Sequence, residues 1–450
     1  MGKSMSTHTP MGFRQILAFG LAVGACWASA SGSAVAQEDE TREHKVFFEN
    51  DRVTVSGSLT VSQALMIAND SVQKINSVVD NQMGDNTIGA YATFAPFGGG
   101  DWTAGALLEV DFFHLRSDEV NELERKHSPR VEVGDAAFWV KHQLYGTLTF
   151  GLTGGATDGI GESDLSETEM IGSVNQDDIG GEILLRGANR LSVKTFKPGD
   201  TNPVGYFWKD AFDGLDHFGG PSGLAVRWDS ARHKGFQVSA AVGDFSIWDA
   251  SVTYEHEFDA FEVDGGIGYF HETGKALEEF KGDTLLGSLS VLHKDTGLSA
   301  TLASGDRSFG VKFKRGDGVM MPAKDKKFVY GKLGWKHAFL DASETAFYLE
   351  AGRYTDGLGA YVDPAGVAAF TGTPRAGVCA AAGAPCYISR SDGAMIGLGV
   401  VQPINSNASV YLGYRKSDLD IGFADRLAVS AAKLPKKSLS SVMFGFTYTF

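Results

Sequence analysis

The last ten residues, SVMFGFTYTF at 441–450, place Val442, Phe444, Phe446, Tyr448 and Phe450 on alternate positions, with Met443, Gly445, Thr447 and Thr449 between them. Side chains of a β-strand point alternately to its two faces, so this segment has one greasy face and one small or polar face. The rhythm constrains the whole chain because it recurs. Val53, Val55, Leu59 and Val61 alternate with Thr54, Ser56, Ser58, Thr60 and Ser62. Trp102, Ala104, Ala106, Leu108, Val110 and Phe112 alternate with Thr103, Gly105, Glu109 and Asp111, and Ala250, Val252, Tyr254 and Phe258 with Ser251, Thr253, Glu255 and Glu257.

Sixteen such segments can be placed, near 53–67, 86–95, 101–113, 133–143, 145–152, 222–229, 235–243, 248–258, 260–271, 284–294, 297–303, 328–338, 344–354, 392–402, 407–416 and 441–450. A sandwich with a soluble core alternates too, so the connections must decide. If both chain ends lie on one side, the turns on that side read PFGGG, L, SARHK, D, DT, FLDAS and PINS, all short. The insertions at 68–85, 114–132, 153–221, 272–283, 304–327, 355–391 and 417–440 then fall on the other side, and only the tiny connection at 244–247 breaks the parity. An even strand count, short turns at one end and long loops at the other describe an all-β transmembrane antiparallel barrel, apolar outside and polar within. The 57 Gly, 30 Phe and 13 Tyr fit a turn-rich, aromatic-rich β-protein.

Residues 1–36 carry Lys3 and Arg14 but no acid, then the apolar ILAFGLAVGACWA, then Ala34-Val35-Ala36 before an abrupt QEDE. Basic end, short apolar run and small-x-small site read as an export signal cleaved after Ala36, with 37–52 as a short lead and 53–450 as the barrel. Cys26 raises a lipid anchor as an alternative, but the apolar run continues beyond it. The formal charge is −15, which argues against nucleic acid or an anionic membrane surface as partner. Cys379 and Cys386 stand in GVCAAAGAPCY within the 355–391 insertion, where an exported chain is expected to close a disulfide clip.

The longest insertion, 153–221, opens with Asp158, Glu162, Asp164, Glu167, Glu169, Asp177, Asp178 and Glu182, and holds no Lys, Arg or His before Arg186. As a surface loop it is merely solvated. Folded into a barrel, the same carboxylates narrow the lumen, attract cations and repel anions. Lumen-facing Arg227, Lys332, Lys336 and Arg415 then form a candidate opposing basic wall. Carboxylates also suit Ca²⁺, although no EF-hand spacing is present and no other metal or cofactor is expected. No G-x-S-x-G, H-E-x-x-H or C-x-x-C marks an enzyme, and His256 and His337 fit an interfacial place in strands better than catalysis.

The closing strand and terminal Phe450 resemble the C-terminal assembly signal of Gram-negative outer-membrane proteins. VSGSLTVSQALMIANDS, VVDN, DWTAGALLEVDF and GTLTFGLTGGATDGIGESDLS resemble, in order, the general diffusion porins of α-proteobacteria. The resemblance implies a homotrimer of sixteen-stranded barrels in the outer membrane, in contact with lipid and lipopolysaccharide. It also implies that the barrel-assembly machinery recognises Phe450 and that the third long loop folds inward as a constriction. A late outer loop with a cysteine pair also looks like members of that family. Relatives often carry an Arg in the first strand and another before the second. Here those stretches read Val61-Ser62-Gln63 and Asn86-Thr87-Ile88, which favours a net acidic pore. The expected function is passive, cation-preferring diffusion of ions and small hydrophilic solutes, with a substrate-selective channel as the alternative and a barrel enzyme a more distant one.

Overall fold

In the computed structural model the alternating segments are strands of one closed antiparallel barrel. The structure describes residues 45–97, 100–121, 128–185, 207–212, 223–243, 247–272, 282–309, 312–314, 320–322, 324–340, 343–357, 386–425, 431–433 and 437–450. Sixteen strands form the wall: β1 (Val53–Asn69), β2 (Thr87–Phe97), β3 (Trp102–Phe113), β4 (Arg130–His142), β5 (Gly146–Thr153), β6 (Gly223–Asp229), β7 (Phe236–Gly243), β8 (Ile247–Glu257), β9 (Phe261–Glu272), β10 (Gly282–His293), β11 (Leu298–Phe309), β12 (Lys326–Leu340), β13 (Ser343–Thr355), β14 (Cys386–Asn405), β15 (Ala408–Asp425) and β16 (Lys437–Thr449). All sixteen expected strands are present, though β11, β14 and β15 run well past their expected outer ends. There the outward positions change from apolar to Lys416, Asp418 and Asp420, so a hydropathy pattern stops before the backbone ladder does.

Closure joins β16 to β1, from Thr60 opposite Thr449 to Asn69 opposite Ser440. Phe450 completes it: its N–H donates to the Leu59 carbonyl at 3.0 Å, and its carbonyl accepts from the Leu59 N–H at 2.9 Å. A short strand in the lead, Lys45–Glu49, takes over the β1 edge where β16 ends, and the Lys45 ammonium lies 5.9 Å from the Phe450 ring centroid. Another extra strand, Lys74–Asp80, extends the β1 hairpin outward. Between β4 and β5 the turn requires Gly146 at φ +85°, where a Cβ would stand 1.9 Å from the Asp229 carbonyl oxygen.

The two faces differ as the alternation requires. Outward positions expose Val131, Phe138, Leu224, Leu302, Leu333, Leu349 and Phe444, a greasy belt of the kind a bilayer covers. Among the described residues no helix is long and apolar enough to cross a membrane, so strands alone can do so. Inward positions from β2 to β11 are mostly Ser, Thr, Gly and charged residues, with Tyr91, Trp139, Phe270, Leu286 and Leu292 among them. Met66, Phe328, Met395, Leu419, Ile421, Leu439 and Met443 face inward from β1, β12 and β14–β16, and all are buried. They are buried because part of the chain is packed against them.

Candidate functional site

That part is the first half of the long insertion. Its described residues, 154–185, run along the inward side chains of successive strands, tied at each step. Arg227 on β6 donates to the Gly155 carbonyl at 2.7 Å and pairs with Asp229 at 2.9 Å. On β8, the Ser251 hydroxyl donates to the Ala156 carbonyl, and Asp249 accepts from both the N–H and the hydroxyl of Thr157 at 2.7 and 2.8 Å. On β10, Ser288 donates to the Ile160 carbonyl, and Ser290 accepts from the Leu165 N–H.

Six successive carbonyls then each find a side chain of the wall or its loops. Met170 accepts from Asn81 (2.7 Å), Ile171 from the Tyr348 hydroxyl (2.9 Å) and Gly172 from the Lys332 ammonium (2.7 Å). Ser173 and Asn175 accept from the two terminal nitrogens of Arg415 (2.9 and 2.8 Å), and Val174 accepts from the Tyr354 hydroxyl (3.0 Å). A segment without helix or strand must satisfy its buried carbonyls elsewhere, and here β12, β13 and β15 supply the donors.

Beneath these bonds lies an apolar core that the sequence reading did not foresee. Ile171, Val174, Ile179 and Ile183 of the insertion, with Trp208 and Phe212 of the one-turn helix α1 (Trp208–Phe212), pack on the inward Met and Leu side chains. The signal was present: ALMIA in β1, AMIGLGVV in β14 and SVMF in β16 are apolar at both parities, as strands covered on both faces must be.

The insertion is clamped at its far end as well. Segment 114–121 binds it through the Ser117 carbonyl to the Gly180 N–H (2.9 Å), the Asp118 carbonyl to the Glu182 N–H (2.7 Å) and the Ser117 hydroxyl to the Asp178 carbonyl (2.6 Å). Lys209 of α1 pairs with Glu182 at 2.8 Å, and Arg116 with Asp118 at 3.3 Å and Glu119 at 3.2 Å. Arg130 bonds Glu119, and both guanidinium groups stack on Phe113. Burial pushes the Asp118 carboxyl up to about 6, against the pull of Arg116, and the nearby Glu119, Asp177 and Glu182 carboxylates add to the rise.

Each of the four bases expected as an opposing wall contacts the inserted segment itself. Lys332 is buried against Asp164 at 2.5 Å, and Lys336 reaches Glu167 at 2.5 Å. Arg227 and Arg415 hold carbonyls, and Arg415 also pairs with the fully buried Glu350 at 3.2 Å. The loop needs donors more than the lumen needs a field. Of the expected acids, Asp158, Glu162, Glu167 and Glu169 are exposed, Asp164 is consumed by Lys332, and Asp177 and Asp178 are half-buried beside the 114–121 clamp. Among the described residues no group of three or more His, Cys, Asp or Glu is arranged to hold a metal, so the calcium reading has no geometry behind it. Cys379 lies outside the described residues, and with it the expected clip to Cys386. The signal peptide lies outside them too.

No protein-family model matches this sequence, and no protein of curated function matches it. Solved structures do. The chain is similar to OmpT, an outer membrane protein of Vibrio cholerae, at 13% identity and a TM-score of 0.50, covering 90% of this chain and 100% of that one. It is also similar to an anion-selective porin from Comamonas acidovorans (12%, TM-score 0.48, 88% and 100% covered). A third similar structure is the outer membrane channel DcaP of Acinetobacter baumannii (11%, 0.44, 90% and 99%). At these identities the likeness is one of fold, a closed sixteen-stranded antiparallel barrel of the outer-membrane kind.

Proposed function

We propose that this chain is an outer-membrane channel through which ions and small hydrophilic solutes diffuse passively, with a preference for cations. One observation carries the reading. Lys332, Lys336, Arg227 and Arg415 are each engaged, with Asp164, Glu167, Asp229 and Glu350 as their acidic partners, while Asp158, Glu162, Glu167 and Glu169 stay exposed on the inserted segment. Beside the segment, the inward faces of β2–β9 carry many small and polar residues, such as Thr103, Thr149 and Ser239. The segment thus acts as the constriction, and its exposed carboxylates set the sign of the field there.

The export signal, the outer-membrane location and recognition of Phe450 by the assembly machinery belong to the same reading, as do the homotrimer and contact with lipopolysaccharide. Single-channel recording of the refolded barrel in a planar bilayer tests it. Current steps that close in threes support a trimer of open pores, and a silent bilayer from a folded barrel removes the diffusion reading.

A second reading, a substrate-selective channel, is favoured by the apolar core within the barrel and by Trp139 and Tyr91, which face inward beside Gly105 and Gly89. A solute that blocks ion current at a concentration where similar solutes do not would favour it.

A further inference from the structure

Five of the seven histidines among the described residues lie at the end of the barrel that carries the short turns. Four of them, His142 on β4, His256 on β8, His293 on β10 and His337 on β12, are in outward positions, and each is in ring contact with aromatic neighbours. His142 lies between Trp102 (4.6 Å between ring centroids) and Tyr145 (4.4 Å), and His256 between Tyr254 (6.1 Å) and Phe258 (4.5 Å). His293 meets Phe261 at 4.8 Å, and His337 meets Trp335 at 5.3 Å and Phe339 at 4.7 Å. Aromatic rings at the rim of a barrel mark the level where hydrocarbon gives way to headgroups. Phenylalanine alone would serve that purpose; imidazole adds a hydrogen-bond donor.

The orientation of that donor follows from the turns. His142 Nδ1 accepts the N–H groups of Leu144 (3.0 Å) and Tyr145 (3.3 Å), so its proton is on Nε2. His293 Nδ1 lies 2.7 Å from the Thr296 hydroxyl, again engaged with its own turn. In both, Nε2 is the nitrogen left for a partner outside the protein. The nearby charges are Asp101 beside His142, Glu257, Asp259, Lys294 and Asp295 around His256 and His293, and Glu344 beside the strand partner of His337. Lys294 is engaged with Glu257 at 2.7 Å.

We propose that these four imidazoles form a binding belt for phospholipid headgroups of the leaflet at the short-turn end, each Nε2–H donating to a phosphate oxygen while the adjoining rings take the start of the acyl chains. The proposal rests on the barrel lying in a bilayer and is independent of what crosses its lumen.

The test uses the full barrel in neutral detergent micelles, titrated with phosphatidylglycerol, with a galactosyl diacylglycerol of the same chains as the phosphate-free probe. The readout is the midpoint of thermal unfolding. Phosphatidylglycerol is expected to raise the midpoint more than the galactolipid does. The triple variant H256F/H293F/H337F keeps the aromatic bulk and leaves His142 to cap its turn. It should lose at least half of the phospholipid increment while keeping the galactolipid increment. Equal increments from the two lipids, or an unchanged phospholipid increment in the variant, would overturn the proposal. If the triple variant does not fold, H256F and H337F singly, at exposed positions, are each expected to lose part of the phospholipid increment. No loss in either overturns the proposal equally.

Discussion

Arg415 and Glu350 pair at 3.2 Å inside the barrel, both closed off from solvent, and the guanidinium spends its two remaining nitrogens on the Ser173 and Asn175 carbonyls of the inserted segment. A single side chain therefore ties β13, β15 and the insertion together. Removing one partner of a buried pair leaves the other charge unsatisfied, which typically costs about 3–5 kcal/mol. Arg415→Met is expected to destabilise the barrel on that scale in thermal or denaturant unfolding and to make the channel current noisier. Arg415→Met with Glu350→Gln should recover part of the stability but not the quiet current, because the two carbonyls stay unbound.

Gly413 lies directly under the tethered segment, where a Cβ would come within 2.3 Å of Ile171 Cγ1. A larger residue there must push the segment off the wall. Overpacking of this kind costs about 1–3 kcal/mol, and Gly413→Val is expected to show that loss together with an altered single-channel conductance. Wild-type conductance would mean that the segment does not bound the pore.

The 114–121 clamp predicts a pH dependence through Asp118, whose carboxyl is pushed up to about 6. A carboxyl that holds its proton more tightly in the folded chain than in the unfolded one stabilises the fold at low pH. That contribution is lost as pH rises from the unfolded value of about 4 through the folded one. Asp118→Asn removes the titration. The variant should match wild type near pH 4 and exceed it above pH 6 by about 1–3 kcal/mol, as read from unfolding midpoints across that range.

Neutralising the bases and neutralising the exposed acids should have separable effects. Lys332→Met strands the Asp164 carboxylate and is expected to lower stability while leaving ion selectivity near wild type. Replacing Asp158, Glu162 and Glu169 with their amides, with the Glu167–Lys336 pair left in place, should leave stability nearly unchanged, since exposed charges contribute little, and should abolish the cation preference. Reversal potentials and melting curves on the same two proteins distinguish these outcomes.

Much of this architecture is legible in the sequence because a barrel wall has a period of two and the lipid-facing positions cannot be polar. That is why Leu302, Leu349 and Phe444 could be assigned to strands from their neighbours alone. The tethering contacts of Lys332 and Arg415 were not legible, because alternation places them on the inward face but says nothing about what comes to meet them there. The donors for six consecutive carbonyls are a tertiary property of a segment with no regular secondary structure. The inner core was missed for a related reason: Met395 and Met443 look like breaks in the alternation until the covering Ile171 and Ile179 are in place. The short strand Lys45–Glu49 carries Phe47 and Phe48 side by side, with no alternation to reveal it.

The most direct test of the central claim, that the constriction carries one sign of charge because its bases are used as tethers, is the zero-current potential of the reconstituted channel across a KCl gradient. The account predicts a potential of cation-selective sign that collapses toward zero when Asp158, Glu162 and Glu169 are replaced by amides and barely moves in Lys332→Met. An anion-selective potential in the wild type, or a large shift in Lys332→Met with the acids intact, would contradict it.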